Sequence, residues 1–71
     1  MTKEEIKQHL EANPFVPFTV KIAGGGEIEV PSRDHAHLHP KGRVLTIFIE
    51  NGGTEFIDIA LVSSIYKAEP A

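Results

Sequence analysis

The stretch from Arg43 to Ala60 constrains this chain more than any other. It holds two apolar-rich runs of strand length, RVLTIFIE and TEFIDIA, joined by Asn51-Gly52-Gly53. Asn-Gly between alternating apolar runs is the strongest short-range signal of a β-hairpin. A three-residue loop over Asn51–Gly53 predicts Glu50 facing Thr54, Ile47 opposite Ile57, Leu45 opposite Ile59, and Phe48 opposite Phe56 on the other face. A two-residue loop would instead set Leu45 against Asp58 and turn a carboxylate toward the core, so the longer loop, with a glycine in the left-handed region, is the expected one. Either face of this hairpin is apolar. Leu45, Ile47, Ile57 and Ile59 suit a core, which leaves Phe48 and Phe56 to cover a helix or meet a partner.

A second hairpin reads from the preceding residues. Phe18, Val20 and Ile22 alternate with Thr19 and Lys21, Gly24-Gly25-Gly26 reverses the chain, and Glu27-Ile28-Glu29-Val30 follows. A three-glycine loop sets Ile22 opposite Ile28, Val20 opposite Val30, and Lys21 against Glu29 on the outside. A phosphate-cradling loop would feed a helix N-terminus, whereas these glycines feed a strand carrying two negative charges, so they are read as a turn.

Upstream, Thr2 and Glu5 have the spacing of a capping box, Glu4 and Glu5 occupy a first turn, and Ile6 and Leu10 make a narrow apolar stripe, which together predict a helix over 2–12. Asn13 before Pro14 ends it. Pro14-Phe15-Val16-Pro17-Phe18 joins helix to sheet as a stiff, extended segment with two large anchors. Residues 31–43 read as an irregular connector in which Ser32 or Asp34 caps a helical turn and Pro40-Lys41-Gly42 closes the segment. Leu61–Ser64 reads as a tight turn before a last strand at about Ser64–Ala68 with Ile65 inward, and Glu69-Pro70-Ala71 as a frayed tail. The expected fold is mainly β (α+β): one domain over 1–71, with the helix at 2–12 and a five-stranded, strongly bent antiparallel sheet or small SH3-like or Sm-like barrel over 17–68. The helix-first order points to the Sm-like variant.

Size makes stability a concern. A chain of 71 residues supports one small core, and it has no cysteine, hence no disulfide or thiolate metal site. Self-association is the remaining source of extra stability. With ten acidic residues against seven basic ones the net charge is −3, which argues against a nucleic-acid or anionic-membrane surface. MTKEEIKQHLE lacks the apolar stretch of a signal peptide, and no run approaches the length of a membrane span, so a soluble cytoplasmic protein is expected.

Three groups of residues offer chemistry. His35, His37 and His39 recur at period two, so an extended segment would project three imidazoles to one side as candidate metal ligands, with Asp34 or His9 as a fourth. Pro31 and Pro40 oppose that conformation, and a solvated polar connector is the competing reading. Lys41 and Arg43, with Arg33 and Lys21, are the basic set that could contact nucleic acid, although stacking aromatics are few. Asp58, placed opposite Thr46, is read as a cross-strand or turn hydrogen-bonding group. Ser63 and Ser64 have no partner that would activate either as a nucleophile, and no cofactor or small-molecule substrate is indicated.

The segments Pro14-Phe15-Val16-Pro17-Phe18, Thr19–Ile22, Gly26–Pro31 and Ile57–Ile65 also resemble a family of short, uncharacterised bacterial proteins of Planctomycetes and Verrucomicrobia type that share a PFxPF motif. The resemblance implies a small β-rich domain and assigns no catalytic or binding residue. The expected function is therefore that of a non-enzymatic small β domain acting through protein contacts, as a homo-oligomer or with a protein partner. The alternatives are an Sm-like single-stranded nucleic-acid binder using Lys41 and Arg43, and a metal-binding protein using His35, His37 and His39.

Overall fold

A computed structural model describes residues 1–67. Helix α1 spans Lys3–Glu11, and six strands follow: β1 Phe18–Ile22, β2 Glu27–Val30, β3 Ala36–Leu38, β4 Val44–Phe48, β5 Thr54–Asp58 and β6 Val62–Tyr66. Two single 3-10 turns, Arg33–His35 and Ile59–Leu61, interrupt the strands. The strands form two three-stranded antiparallel sheets, ordered β2-β1-β6 and β3-β4-β5. The architecture is thus α+β, as expected, but the described residues form six strands rather than five, in two sheets that do not make a closed barrel. Residues 31–43 are no plain connector: the 3-10 turn after Pro31 breaks the chain's course, and Ala36, His37 and Leu38 then pair with Ile47, Thr46 and Leu45. Pro31 lies before the 3-10 turn and Pro40 beyond the end of the ladder, so neither removes an N–H from it. The frayed tail expected at 69–71, and the end of the last strand at Ala68, lie outside the described residues.

The helix forms as its termini dictate. Thr2 Oγ1 accepts from Glu5 N at 3.2 Å, and the Glu5 carboxylate accepts from Thr2 N at 3.1 Å, so the capping box closes in both directions. The Thr2 N–H and the Thr2 hydroxyl, which donates to Glu5 Oε1 at 2.8 Å, hold the Glu5 carboxyl below the usual carboxylate range. At the other end Arg33 does the capping. Its Nε donates to Leu10 O at 2.8 Å, its Nη2 donates to Ala12 O, and the guanidinium lies 5.7 Å from the centre of the Phe15 ring. A cation at the helix C-terminus both satisfies orphan carbonyls and complements the macrodipole.

Ile6 and Leu10 carry the helix into a core that also takes Phe18, Val20 and Val30 from the first sheet and Leu45, Ile47 and Ile57 from the second. Ile6, Val20, Val30, Leu45 and Ile47 are fully buried, and among the described residues no polar side chain is buried with them. Burial of each such aliphatic side chain contributes roughly 1.5–3 kcal/mol.

In both hairpins the loop has three residues but begins one residue earlier than expected. Ile22 N donates to Gly26 O and Gly25 N to Ile22 O, which makes the first loop Ala23-Gly24-Gly25. Ile49 N donates to Gly53 O and Gly52 N to Ile49 O, which makes the second Glu50-Asn51-Gly52. The left-handed positions fall on Gly24, Gly25 and Gly52, with φ of 89°, 114° and 93°. Asn51 Oδ1 accepts from Gly53 N at 2.8 Å and fixes the second loop in this frame. Each register therefore shifts by two residues. Val20 faces Ile28, Lys21 faces Glu27 rather than Glu29, Leu45 faces Ile57 rather than Ile59, and Glu50 does not face Thr54. A shift of two preserves which side of the sheet each residue occupies, so the inner faces remain the expected ones.

Candidate interaction surface

The outer face of the β3-β4-β5 sheet follows from the register. His37, Thr46 and Phe56 lie in one cross-strand row, Phe48 and Thr54 in the next, and Val44 and Asp58 on the other side, with His39 N donating to Val44 O at 2.9 Å. Phe48 and Phe56 share this face but stand diagonally, since Phe56 opposes Thr46 rather than Phe48. The helix does not cover them: Phe56 is 71 % exposed, Phe48 46 % and Val44 37 %. Asp58 opposes Val44, not Thr46, and its Oδ1 accepts from Ala60 N at 2.9 Å as the cap of the 3-10 turn that follows.

The two edges of this sheet differ in charge. Along β3, a cleft of about 320 Å³ against α1 is lined by Lys3, Lys7, Arg33, His37 and His39 over Leu10 and Leu38, with Glu11 its one acid. Lys41 and Arg43 stand exposed in the adjoining β3–β4 turn. Its Gly42, at φ 75°, sits so close to Lys3 that an added Cβ would fall 2.1 Å from Lys3 Cδ. Along β5, two clefts of about 480 and 390 Å³ separate this strand from β2. Glu27, Glu29, Glu50, Glu55 and Asp58 line them beside Ile28, Phe48, Phe56 and Leu61, with no lysine or arginine among the lining residues.

The three histidines stand in three different settings. His35 lies in the 3-10 turn, where its Nδ1 is 2.7 Å from Ser32 Oγ and its Nε2 is 3.0 Å from Glu50 Oε1. An ionised Glu50 can only accept, so neutral His35 carries its proton on Nε2 and accepts the Ser32 hydroxyl proton at Nδ1. This is the order of a nucleophile, base and acid. The serine bond, however, spans three residues within one turn, and His35 N is itself spent on Ser32 O at 3.1 Å. The chain Ser32–His35–Glu50 ties the β2–β3 bend to the β4–β5 loop. His37 is exposed on the strand, and His39 Nδ1 accepts from Lys41 N at 3.1 Å. Among the described residues no group of three or more His, Cys, Asp or Glu side chains is placed to hold a metal ion.

Three further polar side chains make contacts within the fold. His9 packs with its ring centre 5.5 Å from that of Phe18, and partial burial there, with Lys67 nearby, pushes its pKa below the ordinary histidine value. Lys21 Nζ lies 5.6 Å from the centre of the Tyr66 ring, and Ser63 Oγ donates to Lys21 O at 3.1 Å. Sequence reasoning missed Arg33 as a helix cap and the Ser32–His35–Glu50 link, because both join residues whose proximity depends on the tertiary fold. Among the described residues no helix is long and apolar enough to cross a membrane. In comparison with known proteins, the chain matches no family model, no curated protein and no solved structure.

Proposed function

We propose that this chain is a non-enzymatic β-rich domain that acts through protein contacts, in the first place with itself. The observation that carries this reading is the exposure of Val44, Phe48 and Phe56, in three successive cross-strand rows on the outer face of the second sheet. Large aromatic side chains on an uncovered sheet face are the common material of interface hot spots. The size of the chain, without cysteine, supports the same reading, because a second copy supplies apolar burial that one small core lacks. Native mass spectrometry of untagged protein, purified without a nickel column, tests it. The expected result is an oligomer free of metal and nucleotide; a bare monomer at every concentration would overturn it.

One observation favours a second reading, an Sm-like single-stranded nucleic-acid binder. Gly42 brings Lys3 against the turn that carries Lys41 and Arg43, so cations gather at this end of a chain that is otherwise acidic. Arg33 is spent on helix carbonyls, and Phe48 and Phe56 stand on the sheet face rather than in that turn. Titration with single-stranded RNA at low salt separates the readings. Binding that weakens with salt and with Lys41→Glu would favour nucleic acid; none is expected.

A further inference from the structure

Strand β3 is an edge strand, and its free edge looks onto the helix. His39 N donates to Val44 O, so along β3 the backbone groups of His37 and His39 point to β4, while those of Ala36 and Leu38 point away from it. The Ala36 N–H is taken by Arg33 O, which leaves the Ala36 carbonyl and both backbone groups of Leu38 facing outward. The cleft of about 320 Å³ follows this edge rather than a sheet face, because both sides of the strand line it: His37 and His39 from the outer side, Ala36 and Leu38 from the inner. Its far wall is one face of α1, with Lys3, Lys7 and Leu10. That wall is held at both ends. Arg33, in the turn before β3, donates to Leu10 O and Ala12 O, and Gly42, just past β3, lies against Lys3. Helix and strand therefore run side by side in opposite directions, with a slot between them.

We propose that this slot binds an extended, acidic peptide segment of a partner protein, which pairs with β3 as an added strand. The proposal goes beyond the self-association suggested by the outer face and does not depend on it. Two independent observations define the ligand. An unpaired strand edge is matched by another extended backbone, to which Leu38 offers one donor and one acceptor and Ala36 a second acceptor. The charge of the walls then selects among peptides. Among the described residues Glu11 is the one acid beside Lys3, Lys7 and Arg33, and its exposed carboxylate already has Lys7 Nζ at 3.9 Å. Arg33 gives its hydrogen bonds to carbonyls, which leaves its charge uncompensated. Carboxylates on alternate residues of an added strand share one side and can face the helical lysines together, with Leu10 and Leu38 as an apolar floor. Nucleic acid is matched less well, since among the described residues no Phe or Tyr lines the slot for base stacking. Because the cations are solvent-facing, added salt weakens the binding.

NMR titration of the isotope-labelled full chain with a capped hexapeptide of alternating Glu and Val tests the proposal. Amide shifts are expected in α1 and across residues 36–42, with slower hydrogen exchange at the Leu38 amide. Lys7→Glu, an exposed position whose circular dichroism should match the wild type, is expected to raise the dissociation constant at least ~10-fold. Methylating the Glu nitrogens of the peptide and methylating its Val nitrogens leave the charge alike. The two are expected to differ in affinity by at least ~10-fold, since only alternate N–H groups of an added strand reach the edge. No shift at millimolar peptide, shifts centred elsewhere, or equal binding of an alternating Lys and Val peptide would overturn the proposal. Equal affinity of the two methylated peptides would overturn the added strand, and tighter binding of a single-stranded oligonucleotide in the same slot would replace the peptide with nucleic acid. A chain that is monomeric yet binds the acidic peptide in this way would uphold the proposal while overturning self-association.

Discussion

The two sheets are built alike and finished differently. Each holds a hairpin with a three-residue, glycine-bearing loop closed by the same pair of backbone hydrogen bonds, and each turns aliphatic residues inward. Their outer faces part ways. On the first sheet Thr19, Lys21, Glu27, Glu29, Ser64 and Tyr66 occupy the face away from Phe18, Val20 and Val30, and Lys21 lies over the Tyr66 ring. On the second, Val44, Phe48 and Phe56 occupy the corresponding face. Folding demands the inner faces, and the first sheet shows that a polar outer face folds equally well. The apolar outer face of the second sheet is therefore not demanded by the fold, which supports the proposed contact.

This contrast can be broken or sharpened by substitution. The largest effect is expected at the shared core: Ile47→Ala or Ile6→Ala, both fully buried, should cost about 2–5 kcal/mol in denaturant unfolding, enough to unfold much of a chain this small. Gly42→Ala should cost roughly 1–3 kcal/mol, since the left-handed backbone resists a side chain and the added Cβ meets Lys3. Replacing Arg33 by Met should cost about 1–2 kcal/mol, through the two helix carbonyls it leaves unpaired, while keeping much of the packing on Phe15. Phe56→Ser, by contrast, should change monomer stability by no more than about 0.5 kcal/mol while weakening association. A large loss of monomer stability from Phe56→Ser would show that the outer face belongs to the fold after all.

The smallest expected effect is a pH dependence at the helix–sheet contact. Burial beside Phe18 lowers the His9 pKa in the folded chain, so the unfolded chain binds the proton first as the medium is acidified. The stability that neutral His9 allows is complete above its ordinary pKa of about 6.5 and is lost as pH falls through that value toward the lowered one. His9→Gln should flatten the slope of stability against pH in that window, measured by urea unfolding between neutral and mildly acidic pH.

Much of the fold was legible because it rests on local rules. Thr2 and Glu5 announced the helix start, Asn13-Pro14 its end, and the alternation through Phe18–Ile22 and Val44–Phe48 announced which residues turn inward. The registers were misjudged by two residues because runs of glycine permit the same loop in adjacent frames, and a slip of two leaves the buried faces unchanged. The side chain of Asn51 decides the second frame through one hydrogen bond that spacing alone does not disclose. Strand β3 was obscured by Pro31 and Pro40, which read as breakers although they only bracket it. At the candidate surface, the two-sided apolarity of the second hairpin pointed to Phe48 and Phe56. The charge difference between the β3 and β5 edges was hidden, because it assembles Lys3, Arg33 and His37 on one side and Glu27 and Glu55 on the other from distant parts of the chain.

The most direct test places one negative charge on each outer face. Sedimentation equilibrium would be run on the wild-type chain, on Phe56→Asp in the second sheet and on Ser64→Asp in the first, each over the same range of concentration. A self-associating wild type, a Ser64→Asp variant that associates equally well and a monomeric Phe56→Asp variant are the predicted results. A monomeric wild type, or equal loss of association from the two substitutions, would contradict the assignment of the second sheet's outer face as an interface.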